Sequence, residues 1–197
     1  MYYLCIRIYI LRNNIMPEYD IALELAKLHI LKGADFVRQL KKLTSLPIFK
    51  PIENEKDIFA AESSHKDDMP TLLDAARKAV EHGYRVFILP NPKGIRTADF
   101  IFERKGVFKM YDLKTIQGKA SVLNRMIESI GQTNHVLLNM TTNYNARLMA
   151  SDLKAYFEMN RDAVEVLIFK SNKVISVKKG FATSCSFNRL FRKLYEK

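Results

Sequence analysis

From Thr71 to Val177 the apolar residues follow helical and strand periods in turn, and that ordered alternation confines the chain to a small set of layered α/β folds. "TLLDAARKAVEHGYR" sets Leu72, Ala75, Ala76 and Val80 on one helical face, with Gly83 just past the end as terminator. "YRVFILP" is a short apolar strand closed by Pro90, and "NPKG" is a turn. "TADFIF" and "GVFKMYDLK" are strands joined through "ERKG" as a hairpin-like pair. A helix follows from about Ser121 to Thr133, then a buried strand "HVLLNM" and a helix through "ARLMASDLKAYFEMN". A strand "VEVLIF", a turn "KSNK" and a strand "KVISV" close the series. Helix, three strands, helix, strand, helix, strand, strand predicts an α/β fold with a mixed central sheet flanked by helices.

Upstream, Ile21, Leu25, Leu28, Leu31, Phe36, Val37 and Leu40 read as a helix or helical pair, with Gly33 as a break and Pro47 and Pro51 ending it. The polar run "ENEKDIFAAESSHKDDMP" then reads as a linker. We therefore expect an N-terminal helical extension over 1–54, the principal domain over 55–180 and a basic tail over 181–197. The opening "MYYLCIRIYILRNN" is interrupted by Arg7 and has neither a charged start nor a small-residue cleavage site, so it reads as a strand or a dispensable leader. Met16 opens a stretch that resembles a natural start, and the first fifteen residues are expected to be an upstream extension. No run of about 18 uncharged apolar residues exists, so no membrane span is expected. Cys5 and Cys185, with no partner-like spacing, read as free thiols of a reducing, cytoplasmic compartment.

Charge is unevenly spread. Residues 1–50 carry eight Lys/Arg and four Asp/Glu, residues 170–197 carry eight and one, and the middle carries sixteen of each. A basic tail with Phe181, Phe187, Phe191 and Tyr195 among its cations suits a polyanion such as nucleic acid; the alternative is a solvated basic face whose aromatics pack on the core.

The chemistry concentrates in "YDLKT". Side chains alternate along a strand, so Asp112 and Lys114 project to one side while Tyr111 and Leu113 take the other. Antiparallel pairing across "ERKG" brings Asp99 beside Asp112. Two carboxylates so close repel unless a cation lies between them, and oxygen ligands of this kind select Mg²⁺ or Mn²⁺. Lys114 then orients a water or stabilises charge on a phosphate. An acid and a lysine on a strand face also form ordinary surface pairs, worth under about 1 kcal/mol.

An acid on a first helix, an acid opening a strand, D/E-x-K closing the next strand and a following helix resemble the PD-(D/E)XK nuclease superfamily. More narrowly, "AARKAVEHGYRVFILPNPKGIRTADFIFERKGVFKMYDLKTIQGK" with the later "IGQTNHVLLNM" resembles the C-terminal tRNase domain of contact-dependent growth inhibition toxins and its relatives in mobile elements. The likeness covers about residues 65–178 and implies a restriction-endonuclease-like fold and a Mg²⁺-dependent endonuclease. It also implies an RNA, tRNA-like substrate in preference to DNA, and an immunity protein as partner. The setting implied is the cytoplasm, that of a target cell if the domain is delivered there.

By position, Asp99 matches the first acid, and Asp112 and Lys114 the second acid and the lysine. Ala98 stands where proline usually precedes the acid, and Asp112 where glutamate is common. The helix acid is best matched by Asp74, with Asp68, Asp67 and Glu62 as alternatives; Asp67 and Asp68 also suit a helix N-terminus on dipole grounds. Gln132 falls where such domains place a glutamine, and equally where a helix end needs a hydrogen bond. Thr115 either bonds a phosphate or favours the strand. His29, His82 and His135 show no metal-ligand spacing and read as surface or packing residues; His65, near the acids, is the one histidine of interest. "NPKG" lacks the rest of a phosphate-loop signature, and the methionines read as core filler. The expected catalytic set is Asp99, Asp112, Lys114, Asp74 and Gln132, with Asp99, Asp112 and Asp74 on the metal. A reading of another class is a non-catalytic nucleic-acid-binding or interaction module on a degenerate nuclease scaffold.

Overall fold

The computed structural model describes residues 20–61, 68–92, 94–118 and 121–197. The leader with Cys5, Arg7 and Met16, and Glu62, His65 and Asp67, lie outside the described residues. Within them the chain forms α1 (Ile21–Lys27), α2 (Gly33–Thr44), β1 (Phe49–Pro51), β2 (Ile58–Ala61), α3 (Met69–Glu81), β3 (Arg85–Ile88), β4 (Phe100–Arg104) and β5 (Val107–Ile116). There follow α4 (Val122–Ile127), β6 (His135–Met140), α5 (Ala146–Met159), β7 (Glu165–Lys170), β8 (Lys173–Lys178), α6 (Lys179–Ala182) and α7 (Phe187–Glu196). This is an α/β fold: one mixed sheet of eight strands in the order β1 to β8, flanked by helices on both faces.

The parallel pairs β2–β3, β5–β6 and β6–β7 are the ones joined through α3, α4 and α5, as crossover connections require. Of the antiparallel pairs, β4–β5 and β7–β8 are joined by tight turns. Lys105 and Gly106 both have positive φ, 52° and 78°, which is the turn a two-residue hairpin needs; Arg104 faces Val107 across it.

Alternation on the strands divides the core between two faces. Val86, Ile88, Phe100, Phe102, Tyr111, Leu137 and Phe169 pack under Leu72, Ala75, Ala76 and Ala79 of α3. On the other face Val136, Leu138, Val166 and Ile168 pack with α4, α5 and α7, while Phe87, Ile101 and Met110 meet Leu25, Leu40 and Leu43 of α1 and α2. The N-terminal helices thus share the core of the sheet, and the expected boundary near residue 55 falls between β1 and β2, which pair with each other.

Two elements differ from the sequence reading. The expected linker contains β2, four residues "IFAA" too short to show a period between charged neighbours, yet paired on both sides. The helix expected to reach Thr133 stays regular only to Ile127, after which Ser129, Ile130 and Gln132 donate back to Met126, Ile127 and Ser129 as successive tight turns. The expected tail is mostly the helix α7, and its rings are core: Phe187, Phe191 and Tyr195 are buried one above another.

Candidate active site

At Tyr111 the neighbours of β5 change. Its first half, through Tyr111, pairs with β4; its second half, from Asp112, pairs with β6. Phe100 faces Tyr111, so the next rung sets Asp99 across from Asp112. The backbone amide of Asp99 still donates to the Tyr111 carbonyl, at 3.0 Å, but beyond it the strand departs. The amide of Leu113, left without a strand partner on that side, donates to Oδ2 of Asp99 at 2.6 Å. The opening of the sheet thus fixes the first acid.

Asp112 is 2% exposed. Its Oδ2 accepts from the Ser129 hydroxyl at 2.5 Å and lies 3.0 Å from Lys114 Nζ. Lys114, 13% exposed in its side chain, also lies 4.0 Å from Glu128 Oε2. The tight turns after α4 are what bring Ser129 and Glu128 here. Sequence reasoning missed both, since a regular helix over those residues carries no signal for such a bend.

Burial, and then the charge of Asp112, push the Asp99 carboxyl up to about 7, well above the ordinary aspartate range; the Leu113 amide and Lys114 oppose this. This donor set fits a small divalent cation. Hard carboxylate oxygens suit Mg²⁺ or Mn²⁺, Mg²⁺ commonly takes only one or two carboxylates with water and substrate phosphate completing the shell, and a cation between the two carboxylates relieves their repulsion.

The other expected residues go elsewhere. Asp74 accepts from Lys78 at 2.8 Å and from Asn139 Nδ2 at 2.7 Å, and Lys78 also donates to Asn139 Oδ1 at 2.8 Å, closing a triangle. Burial works against the charged form of Asp74, but those bonds and the Lys78 charge hold its carboxyl below the usual range. Asn139 faces Thr115 in register and shares the α3 face of the sheet with Leu137, whereas Asp112 pairs with Val136 and Lys114 with Leu138, on the opposite face. Asp74 is therefore not brought to Asp99 and Asp112. Among the described residues no three His, Cys, Asp or Glu side chains gather as a metal-holding group.

Asp68 is exposed at the start of α3. Gln132 donates to the Glu128 carbonyl at 3.0 Å, the helix-end bond. Thr115 Oγ1, on the α3 face, is buried with no hydrogen-bond partner. His82 stacks on Phe169 and His135 meets Tyr111 edge-on, so both pack. Cys185 is exposed and free.

A second polar cluster was not foreseen. Glu165, 3% exposed, accepts from Lys109 at 2.6 Å, Tyr111 at 2.8 Å and Ser176 at 2.5 Å. Four residues from three strands contribute, and only the pairing register places them together.

No family model matches the chain, and no curated protein matches it in sequence. Among solved structures it is similar to one chain of the CdiA-CT/CdiI toxin and immunity complex from Burkholderia pseudomallei, at 14% identity and a TM-score of 0.37, over 66% of this chain and 96% of that one. Among the described residues no helix is long and apolar enough to cross a membrane.

Proposed function

We propose that this protein is a metal-dependent nuclease that hydrolyses phosphodiester bonds of RNA, with a tRNA-like substrate favoured over DNA. The observation that carries the reading is Asp99 and Asp112 held side by side where β4 leaves β5, with the ammonium of Lys114 3.0 Å from Asp112. Asp99 and Asp112 would hold Mg²⁺ or Mn²⁺; when bound, such an ion supplies Lewis acidity and neutralises phosphate charge. Lys114 offers donors to a phosphate oxygen or to the attacking water. Ser129 fixes the Asp112 carboxylate, and Glu128 gives Lys114 a second acceptor. The exposed cations of α7 would meet the phosphate backbone.

The motif likeness extends the proposal to a toxin or mobile-element nuclease, acting in the cytoplasm, its own or that of a target cell, with an immunity protein as partner. A second reading draws on a specific observation: Lys114 is already neutralised by Asp112, and no third acid joins the pair among the described residues. On that reading the protein is a nucleic-acid-binding module on a degenerate nuclease scaffold.

Incubation with tRNA, single-stranded RNA and DNA, in Mg²⁺ or in EDTA, separates the two. The nuclease reading expects RNA products in Mg²⁺ that vanish with EDTA and with Lys114→Ala. Salt-sensitive binding without products, or cleavage indifferent to both changes, rejects it.

A further inference from the structure

On the face of the sheet that carries Asp112, the α1–α2 turn and α2 stand across from the turns after α4, leaving a groove of about 800 Å³ between them. Its floor is Phe108 and Met110 of β5. Met110, Asp112 and Lys114 alternate along one side of that strand, so the strand that forms the floor carries Asp112 about 6.6 Å beyond Met110. The far wall is the loop Ile130–Asn134, which begins one residue after Ser129, the hydroxyl that holds Asp112. The near wall belongs to helices that lie outside the region resembling known nucleases.

We propose that this groove binds the single-stranded RNA segment flanking the scissile bond, and that the N-terminal helical pair is the clamp that closes it. The inference rests on the nuclease reading of the adjoining acids and extends it to substrate form. The volume falls within the roughly 300–1,000 Å³ of sites that enclose a ligand-sized group, which suits one or two unpaired nucleotides and not a duplex. Phe36 and Phe108 offer half-buried rings from the two sides, and base stacking on such rings accepts any sequence. Gln132 and Asn134 carry amides that can meet base edges. Lys32 adds an exposed cation on the helical wall, and Lys41 sits 5.8 Å over the Phe108 ring, also exposed; Asp162 is the acid of the lining.

The test uses the full chain and the double variant Lys32→Glu/Lys41→Glu, both positions exposed. Fluorescence anisotropy in EDTA with a labelled ten-nucleotide single-stranded RNA, its blunt duplex and the same sequence as DNA gives binding. Turnover of the same RNA and of bis(p-nitrophenyl) phosphate, which needs no groove, gives catalysis. We expect tighter binding of single strand than of duplex, and a variant with KM on RNA raised at least about tenfold while kcat and bis(p-nitrophenyl) phosphate turnover stay within about twofold. A Phe36→Leu variant, which removes a stacking ring and keeps apolar bulk, should raise KM in the same direction. The inference is overturned if Mg²⁺- and Lys114-dependent cleavage persists with KM unchanged in both variants, or if duplex binds as well as single strand. Absence of RNA binding and cleavage by the wild type overturns it together with the nuclease reading.

Discussion

The Leu113 amide donates to Oδ2 of Asp99 over 2.6 Å, taking from a side chain the bond that a continuing β4 would have supplied from its backbone. The sheet opens at that rung, and the carboxylate that closes the gap is also the one pressed against Asp112. Structure and candidate chemistry share the same bond, so the acid cannot be freed for solvent without exposing a strand edge.

Burial of Asp99 against the charge of Asp112 predicts a pH signature. Asp99 titrates near 7 in the folded chain and near 3.9 unfolded, so its contribution to stability is fully present below about pH 4 and lost as pH rises through about 7. In EDTA, Asp99→Asn should therefore be more stable than wild type at pH 8, by on the order of 1–4 kcal/mol, and no better at pH 4. Asparagine keeps an acceptor for the Leu113 amide and can donate to Asp112. Urea midpoints at the two pH values measure this; equal destabilisation at both would show that the carboxyls do not crowd. Mg²⁺ should narrow the difference at pH 8 by binding only the wild-type pair.

Removing the ammonium of Lys114 leaves Asp112 charged and 2% exposed, still accepting from the Ser129 hydroxyl but without the cation that neutralised it. Breaking a buried pair from one side costs about 3–5 kcal/mol, so Lys114→Ala should lower stability by roughly 3 kcal/mol at pH 7 in EDTA. Lys114→Ala/Asp112→Asn should recover most of that loss and none of the cleavage. A single variant as stable as wild type would place Lys114 outside the pair.

On the α3 face the sign reverses. Burial first, and the Lys109 charge, hold His135 down to about 4, with Glu165 opposing. A depressed histidine stabilises above its unfolded value near 6.5, and the contribution disappears as pH falls through about 4. His135 and Asp99 thus pull in opposite directions between pH 6.5 and 4. His135→Gln should flatten the acid loss of stability without touching cleavage at pH 8, and Asp99→Asn should steepen it. Thermal melts of both variants across that range separate the two, and parallel curves would contradict the assignment.

What could be read from the sequence depended on the range of each signal. Asp99, Asp112 and Lys114 were legible because strand period and a two-residue turn carry register over a few residues. Asp74 was placed on the right helix, but a helical period says which residues face a sheet, not which face of the sheet they meet, and α3 lies opposite Lys114. Ser129 and Glu128 stayed hidden because bending after Ile127 answers to the tertiary partner Asp112. Glu165 with Lys109, Tyr111 and Ser176 needs three strands in register, which no local pattern encodes. "IFAA" became a strand only because β1 and β3 stand on either side of it.

The C-terminal helix α7 allows charge and burial to be tested separately. Phe187, Phe191 and Tyr195 recur every four residues on the buried side, with adjacent ring centroids 5.3 and 5.4 Å apart, while Arg189 and Lys193 are exposed. Phe191→Ala should lower stability by about 3–5 kcal/mol, the usual result of emptying a fully buried phenylalanine site. Arg189→Glu/Lys193→Glu should change stability by no more than about 0.5 kcal/mol, yet weaken RNA binding evenly across sequences and reduce its salt dependence by about two counterions. Urea denaturation and anisotropy titrations from low to high salt read the two effects on one set of proteins. If Phe191→Ala instead weakened RNA binding with stability intact, the rings would be stacking on bases. If the charge reversal left the salt slope unchanged, the phosphate backbone would lie on another face.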